Sequence, residues 1–316
     1  MKTNPLPVIV TSAVVGFLSY TTSAQLYSDT FDTDTSANYI ISKDTDSSAT
    51  FAYNYSVLGI PSAPHSTGGT TRGLRLEANN VDLTGAIAGI SLSPIGRSFT
   101  VDYHLRFDMW VNANGPFPAG GTGSSQMVTA GVGTAGTSIH KPSGTADGTW
   151  FAVDGDGQAV TDYRVYLGTT SQAPASGYFA AGTAATARSA ADPYYASKFP
   201  GQSPPALQQA NYAQQTGTLI DGAVGFGWHV VDIAKIGTTV TRSIDGYTIA
   251  TVTSAAFNGD NITIGYLDPL PSISDNPALS FGLIDNLQVV PEPTFIALSC
   301  LGAGALLLFR RRGPLS

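Results

Sequence analysis

Asp154-Gly-Asp-Gly157 places two carboxylates one residue apart on a turn, an arrangement that suits a hard cation such as calcium. The stretch lacks the loop length and terminal glutamate of an EF-hand, and an Asp-Gly hairpin turn accounts for it more simply. Asp154 and Asp156 are the candidate metal ligands. A second set is Asp102, His104 and Asp108, which alternate onto the polar side of one extended stretch. Glycosidic bond cleavage needs two carboxylates flanking the scissile bond, and an Asp pair here is conceivable. Glu77 is the sole glutamate ahead of Glu292, so a Glu–Glu pair is excluded. The plainer reading of the Asp102–Asp108 stretch is a solvated strand face.

Other chemistry is sparse. Ser138-Ile-His-Lys141 has Ser-x-x-Lys spacing but sits in a Gly/Thr-rich stretch with no strand-to-helix context and no partner motif, which makes it a chance match. His65, His104, His140 and His229 are scattered, and His229 reads as structural. No catalytic residue is assigned, the protein is not read as an enzyme, and no cofactor is expected apart from the candidate calcium. Aromatics are the remaining clue. Trp110 falls opposite an apolar stripe, and Trp150, Tyr194 and Tyr195 lie in or near loops. Exposed rings beside Asp, Asn and Gln suit sugars, because a ring covers a sugar face while polar groups take the hydroxyls. These four are the candidate glycan contacts.

The elements that must carry these residues read as strands. Low Glu and Lys, with high Thr, Val, Tyr and Gly, disfavours helices. From Arg97 to Val111, Phe99, Val101, Tyr103, Leu105, Phe107, Met109 and Val111 share one face. Asp162–Leu167 and Gly73–Ala78 alternate similarly. The stretch Trp228–Val252 reads as three strands joined by turns at Gly237-Thr238 and Asp245-Gly246, the latter a strong hairpin signal. The last strand is Leu279–Val289. Together these predict a twisted antiparallel sandwich of two sheets. Residues 181–217 form a long insertion rich in aromatics, too apolar for a linker and expected to pack on the sandwich.

The ends say where the protein goes. Lys2, the apolar run Val8–Leu18 and the small residues Thr22-Ser23-Ala24 read as a signal peptide over residues 1–24. Residues 25–290 are then the exported domain. The only cysteine is Cys300, in the tail, so that domain can form no disulfide. The chain carries 15 basic and 22 acidic side chains, a net charge of −7. Four of the basic and one of the acidic groups lie in the terminal segments, leaving 25–290 at −10. That charge argues against nucleic acid as a partner. Phe295–Phe309 is uncharged and as a helix would rise about 22 Å, a marginal span that suits a temporary membrane anchor.

Pro291-Glu292-Pro293, the apolar run, and Arg310-Arg311-Arg312 resemble a PEP-CTERM sorting signal over residues 291–316. The resemblance implies an exosortase-type transpeptidase as partner, removal of the tail, and delivery to the cell surface or extracellular matrix. The two prolines favour an extended, accessible motif. Trp228-His, Lys235-x-Gly, Ile244-Asp-Gly and Asp285-Asn-Leu-x-Val, with Asp29-Thr-Phe-Asp32, resemble the laminin-G/concanavalin A-like jelly roll, in which first and last strands pair. Three readings stand open: a carbohydrate-binding adhesion module, a structural matrix protein without a ligand, and a glycan hydrolase using Asp carboxylates.

Overall fold

Period-two alternation folds into strands along most of the chain. The computed structural model of the protein describes residues 25–81, 87–182 and 186–292. The signal-peptide segment and the tail from Pro293, with Arg310, Arg311 and Arg312, lie outside the described residues. In chain order the strands are β1 (Tyr27–Asp29), β2 (Tyr39–Lys43), β3 (Ser48–Asn54), β4 (Arg72–Glu77), β5 (Ala88–Pro94), β6 (Tyr103–Asn112), β7 (Met127–Thr134) and β8 (Thr149–Asp154). They continue as β9 (Tyr163–Leu167), β10 (Thr170–Ser171), β11 (His229–Ile236), β12 (Thr239–Ile244), β13 (Tyr247–Val252), β14 (Asn261–Asp268) and β15 (Phe281–Pro291).

The first sheet runs β13-β12-β11-β6-β15-β4-β3, with β1 also on β15; the second runs β10-β9-β8-β7-β14-β5-β2. All named strand pairs are antiparallel, and β1 pairs with β15, as the jelly-roll resemblance implies. The predicted two-sheet antiparallel sandwich is the fold observed. Leu105, Phe107 and Met109 of β6 meet Val128, Phe151 and Ile264 of the second sheet in the core, all within 1% of full burial. Each such side chain contributes about 1.5–3 kcal/mol. The hairpin at Asp245-Gly246 has both residues at positive φ, 51° and 78°, as a type I′ turn demands. The strand read from Arg97 begins pairing only at Tyr103. Val101, expected inside, is exposed, since no strand pairs with that segment.

The insertion at 181–217 carries two short helices, α1 (Pro193–Ala196) and α2 (Ala206–Asn211). Its Tyr195 and Phe199 enter the main core. Beside them lies Arg242, on the buried side of β12 with Val240 and Ile244. None of its Nε, Nη1 and Nη2 atoms has a hydrogen-bond partner. The hydroxyls of neighbouring Tyr163 and Tyr195 donate instead to the Gly222 and Ala187 carbonyls. Burial pushes the Arg242 guanidinium down to about 10, so it stays charged at neutral pH. Arg242→Met is therefore expected to stabilise the protein by about 1–4 kcal/mol. A urea midpoint lower than that of the wild type would contradict this.

Candidate functional site

Asp154 ends β8, Asp156 sits on the following turn and Asp162 leads into β9, so the β8–β9 hairpin folds all three back on one another. Their carboxylate oxygens lie within 4.8 Å and all three residues are buried. Asp156 Oδ2 accepts from Ser124 Oγ at 2.5 Å, and Asp162 Oδ2 accepts from the Ala190 backbone N–H at 2.6 Å. Asp154 Oδ2 and Asp162 Oδ1 are buried with no partner. Burial, with the neighbouring Asp charges, holds Asp154 well above the usual carboxylate range. Burial likewise pushes Asp162 up to about 7. Three oxygen ligands, two of them with orphaned atoms, fit a calcium ion by donor type. The sequence had pointed to Asp154 and Asp156. Asp162 is not among them, because it lies eight positions after Asp154 and only the hairpin closes that gap.

Gly155, between Asp154 and Asp156, connects the cation candidates to an aromatic groove through intervening residues. Gly155 packs so tightly on Val111 that a Cβ there would lie 2.5 Å from Val111 Cγ1. Val111 in turn bridges to Gly225, and its carbonyl accepts from Phe226 N–H at 3.1 Å. Phe226 and Trp228 then line a groove of about 430 Å³ with Trp110, Pro61, Pro64 and Pro205. Trp228 Nε1 donates to the Pro61 carbonyl at 2.7 Å, which fixes the indole and anchors the 59–66 strap. The rings of Trp228 and Trp110 meet edge-on at 5.8 Å, and Tyr55 meets Trp228 at 5.2 Å.

Of the four rings predicted to be open to sugar, the structure covers three. Trp110 does point outward from the first sheet, but it is only 3% exposed beneath a satellite cluster with Tyr55, Phe226 and Phe281. Trp150 lies flat on Tyr166 at 3.9 Å and is fully buried. Tyr195 is stacked between the insertion and Tyr163, also at 3.9 Å and fully buried. Tyr194 is half-buried, its hydroxyl donating to the Thr248 carbonyl. Trp228, half-buried and lining the groove, is not among the four: the sequence reads it as the first residue of a strand, whereas it lies just before β11.

The carboxylates weighed for catalysis are dispersed. Asp102 accepts the Gly237 N–H at 2.8 Å, Asp108 is buried under His65, and His104 lies between Asp232 and Glu292. The Asp232 hydrogen bond raises the His104 imidazole above its ordinary value. Lys141 pairs with Asp44 rather than Ser138. Pro291 is extended as predicted, at the end of β15, but Glu292 is not the open residue expected. Its N–H donates to the Asp102 carbonyl at 3.0 Å and its carboxylate bonds His104, because β15 continues pairing up to the motif.

No protein-family model matches the chain, and no curated protein matches it. Among solved structures it is similar to the Emp47p carbohydrate recognition domain, at 10% identity and a TM-score of 0.39, covering 79% of this chain and 90% of that one. A Bacillus subtilis protein of unknown function with a galectin-like fold is 9% identical over 85% of this chain and 96% of its own, with a TM-score of 0.41. The VIP36 exoplasmic/lumenal domain in its Ca2+-bound form is 8% identical over 85% and 90%, again with a TM-score of 0.41.

Proposed function

We propose that the protein is an exported, non-catalytic carbohydrate-binding module of the cell surface or extracellular matrix. The observation that carries this reading is the groove between the 59–66 strap and the first sheet, where Trp228 offers a fixed ring above Trp110. A fixed ring binds the apolar face of a sugar at low entropic cost. Its N–H is already committed to Pro61, so what the ring has left to offer is its face. Calcium at Asp154, Asp156 and Asp162 would brace the turn that Gly155 connects to that groove. An exosortase-type transpeptidase acting at Pro291-Glu292-Pro293 would deliver the module after transient anchoring through the apolar tail.

Protein recovered from the cell surface tests the reading through two properties of one sample. Its mass should correspond to a chain lacking both the 1–24 segment and the apolar tail. It should also be retarded in native gels containing a surface polysaccharide. An intact tail would sink the sorting part, and unretarded migration with every polysaccharide tried would sink the binding part.

A further inference from the structure

The outward face that carries the two tryptophans continues on the other side of the strap. Along β11 and the residue before it, Trp228, Val230 and Asp232 face the same way. Asp108 and Arg106 of β6 stand opposite Val230 and Asp232 in the register. From Trp228 to Asp232 the strand advances roughly 14 Å. Here a second groove, of about 330 Å³, is lined by His65, Arg106, Val230, Asp232, Asn286 and Gln288.

Its polar groups are held by structure that lies beneath them. Asp108 is fully buried and accepts three hydrogen bonds: His65 Nδ1 at 2.7 Å, the His65 backbone N–H at 3.0 Å and Asn286 Nδ2 at 2.8 Å. Asn286 reaches it from a bulge where the β6–β15 register shifts, with φ of 52°. The His65 side chain is nevertheless 57% exposed. Nδ1 is committed to the buried carboxylate, so Nε2 is turned away from Asp108, and it has no partner within the described residues. Arg106 commits its Nε to Asp232 Oδ2 at 2.6 Å, which leaves its terminal N–H groups available. The Gln288 amide makes no hydrogen bond among the described residues.

We infer that His65, Arg106 and Gln288 form a second sugar subsite, and that the ligand is a neutral oligosaccharide lying across the strap from one groove to the other. The inference rests on the carbohydrate reading above. An unpartnered imidazole nitrogen, an amide and guanidinium N–H groups match hydroxyls, which both donate and accept. A carboxylate or sulfate only accepts, and it would face the Asp232 carboxylate in the groove wall. A bare structural role, pinning the strap to the sheet, would use Nδ1 alone.

His65→Asn separates the two roles, because the Asn amide can still donate to Asp108 while Nε2 is gone. Affinity should be measured for the full protein against cello-, manno- and malto-oligosaccharide ladders, from disaccharide to hexasaccharide, with oligogalacturonates alongside. Wild-type affinity for one neutral ladder should rise with length. In His65→Asn combined with Gln288→Ala, the longer members should lose roughly tenfold, the worth of two hydrogen bonds. Disaccharide affinity and thermal stability should be unchanged. Wild-type binding without a length dependence, a variant with the wild-type dependence, or preference for the acidic ladder would each overturn the subsite while leaving the aromatic groove standing. No binding of any ladder by the wild type would overturn both.

Discussion

Trp228→Ala is expected to weaken binding of a glycan about thirtyfold, the loss of roughly 2 kcal/mol carried by a central aromatic anchor. The ring is half-buried and lies over Trp110 and Tyr55, so its removal strips the groove of its one presented face. The fold should survive. Trp228 precedes β11, and the strand's ladder to β6 starts at the next residue. Losing the edge-on contacts should cost about 1 kcal/mol of stability. Trp228→Phe should recover part of the affinity, since it keeps a ring but not the Pro61 hydrogen bond. Titration calorimetry with the best-bound oligosaccharide checks both variants. Equal affinity in wild type and Trp228→Ala would place the ligand elsewhere.

Calcium is expected to raise the melting temperature by roughly 5–10 °C at a hundredfold excess over its dissociation constant, about 2.7 kcal/mol of linkage. EGTA should reverse the shift. Asp162→Asn should abolish it without destabilising the cation-free protein, because the amide removes a buried charge that two other aspartates oppose. The pH dependence has a definite sign. Asp162 binds its proton more tightly folded than unfolded, with a folded value of about 7. Its contribution to cation-free stability is therefore largest at low pH. It falls as pH rises from about 4 to 7, by up to about 1.4 kcal/mol per unit. Calcium displaces those protons, so its affinity should rise across the same window. Differential scanning fluorimetry in calcium and in EGTA, from acid to neutral pH, reads all of this. A calcium shift as large in Asp162→Asn as in wild type would remove the three aspartates from consideration.

The sheets were legible because alternation reports facing directly. Leu105, Phe107 and Met109 point inward as their spacing says, and Asp245-Gly246 turns the strands where its preference for positive φ says. What alternation does not report is cover. Trp110 faces outward from the first sheet, yet the 59–66 strap and Phe226 lie over it, and those come from distant parts of the chain. Trp150 belongs to an outer cluster on the second sheet, separate from the main core, where Tyr166 of the next strand lies flat across it. The same limit hid the polar groove. His65 sits in an irregular strap 43 residues before its carboxylate partner, and no local pattern links them. Asp162 was hidden by a hairpin, and Glu292 by a strand that runs further than its alternation.

The three tryptophans provide the most direct test, since each should give its own indole N–H resonance. Two line the proposed groove. Trp150 lies on the other sheet with its N–H donating to the Gly168 carbonyl at 2.7 Å. Titrating a bound oligosaccharide into isotope-labelled protein is predicted to shift the Trp228 and Trp110 signals and leave Trp150 in place. Saturable binding that shifts neither Trp228 nor Trp110 would contradict the account.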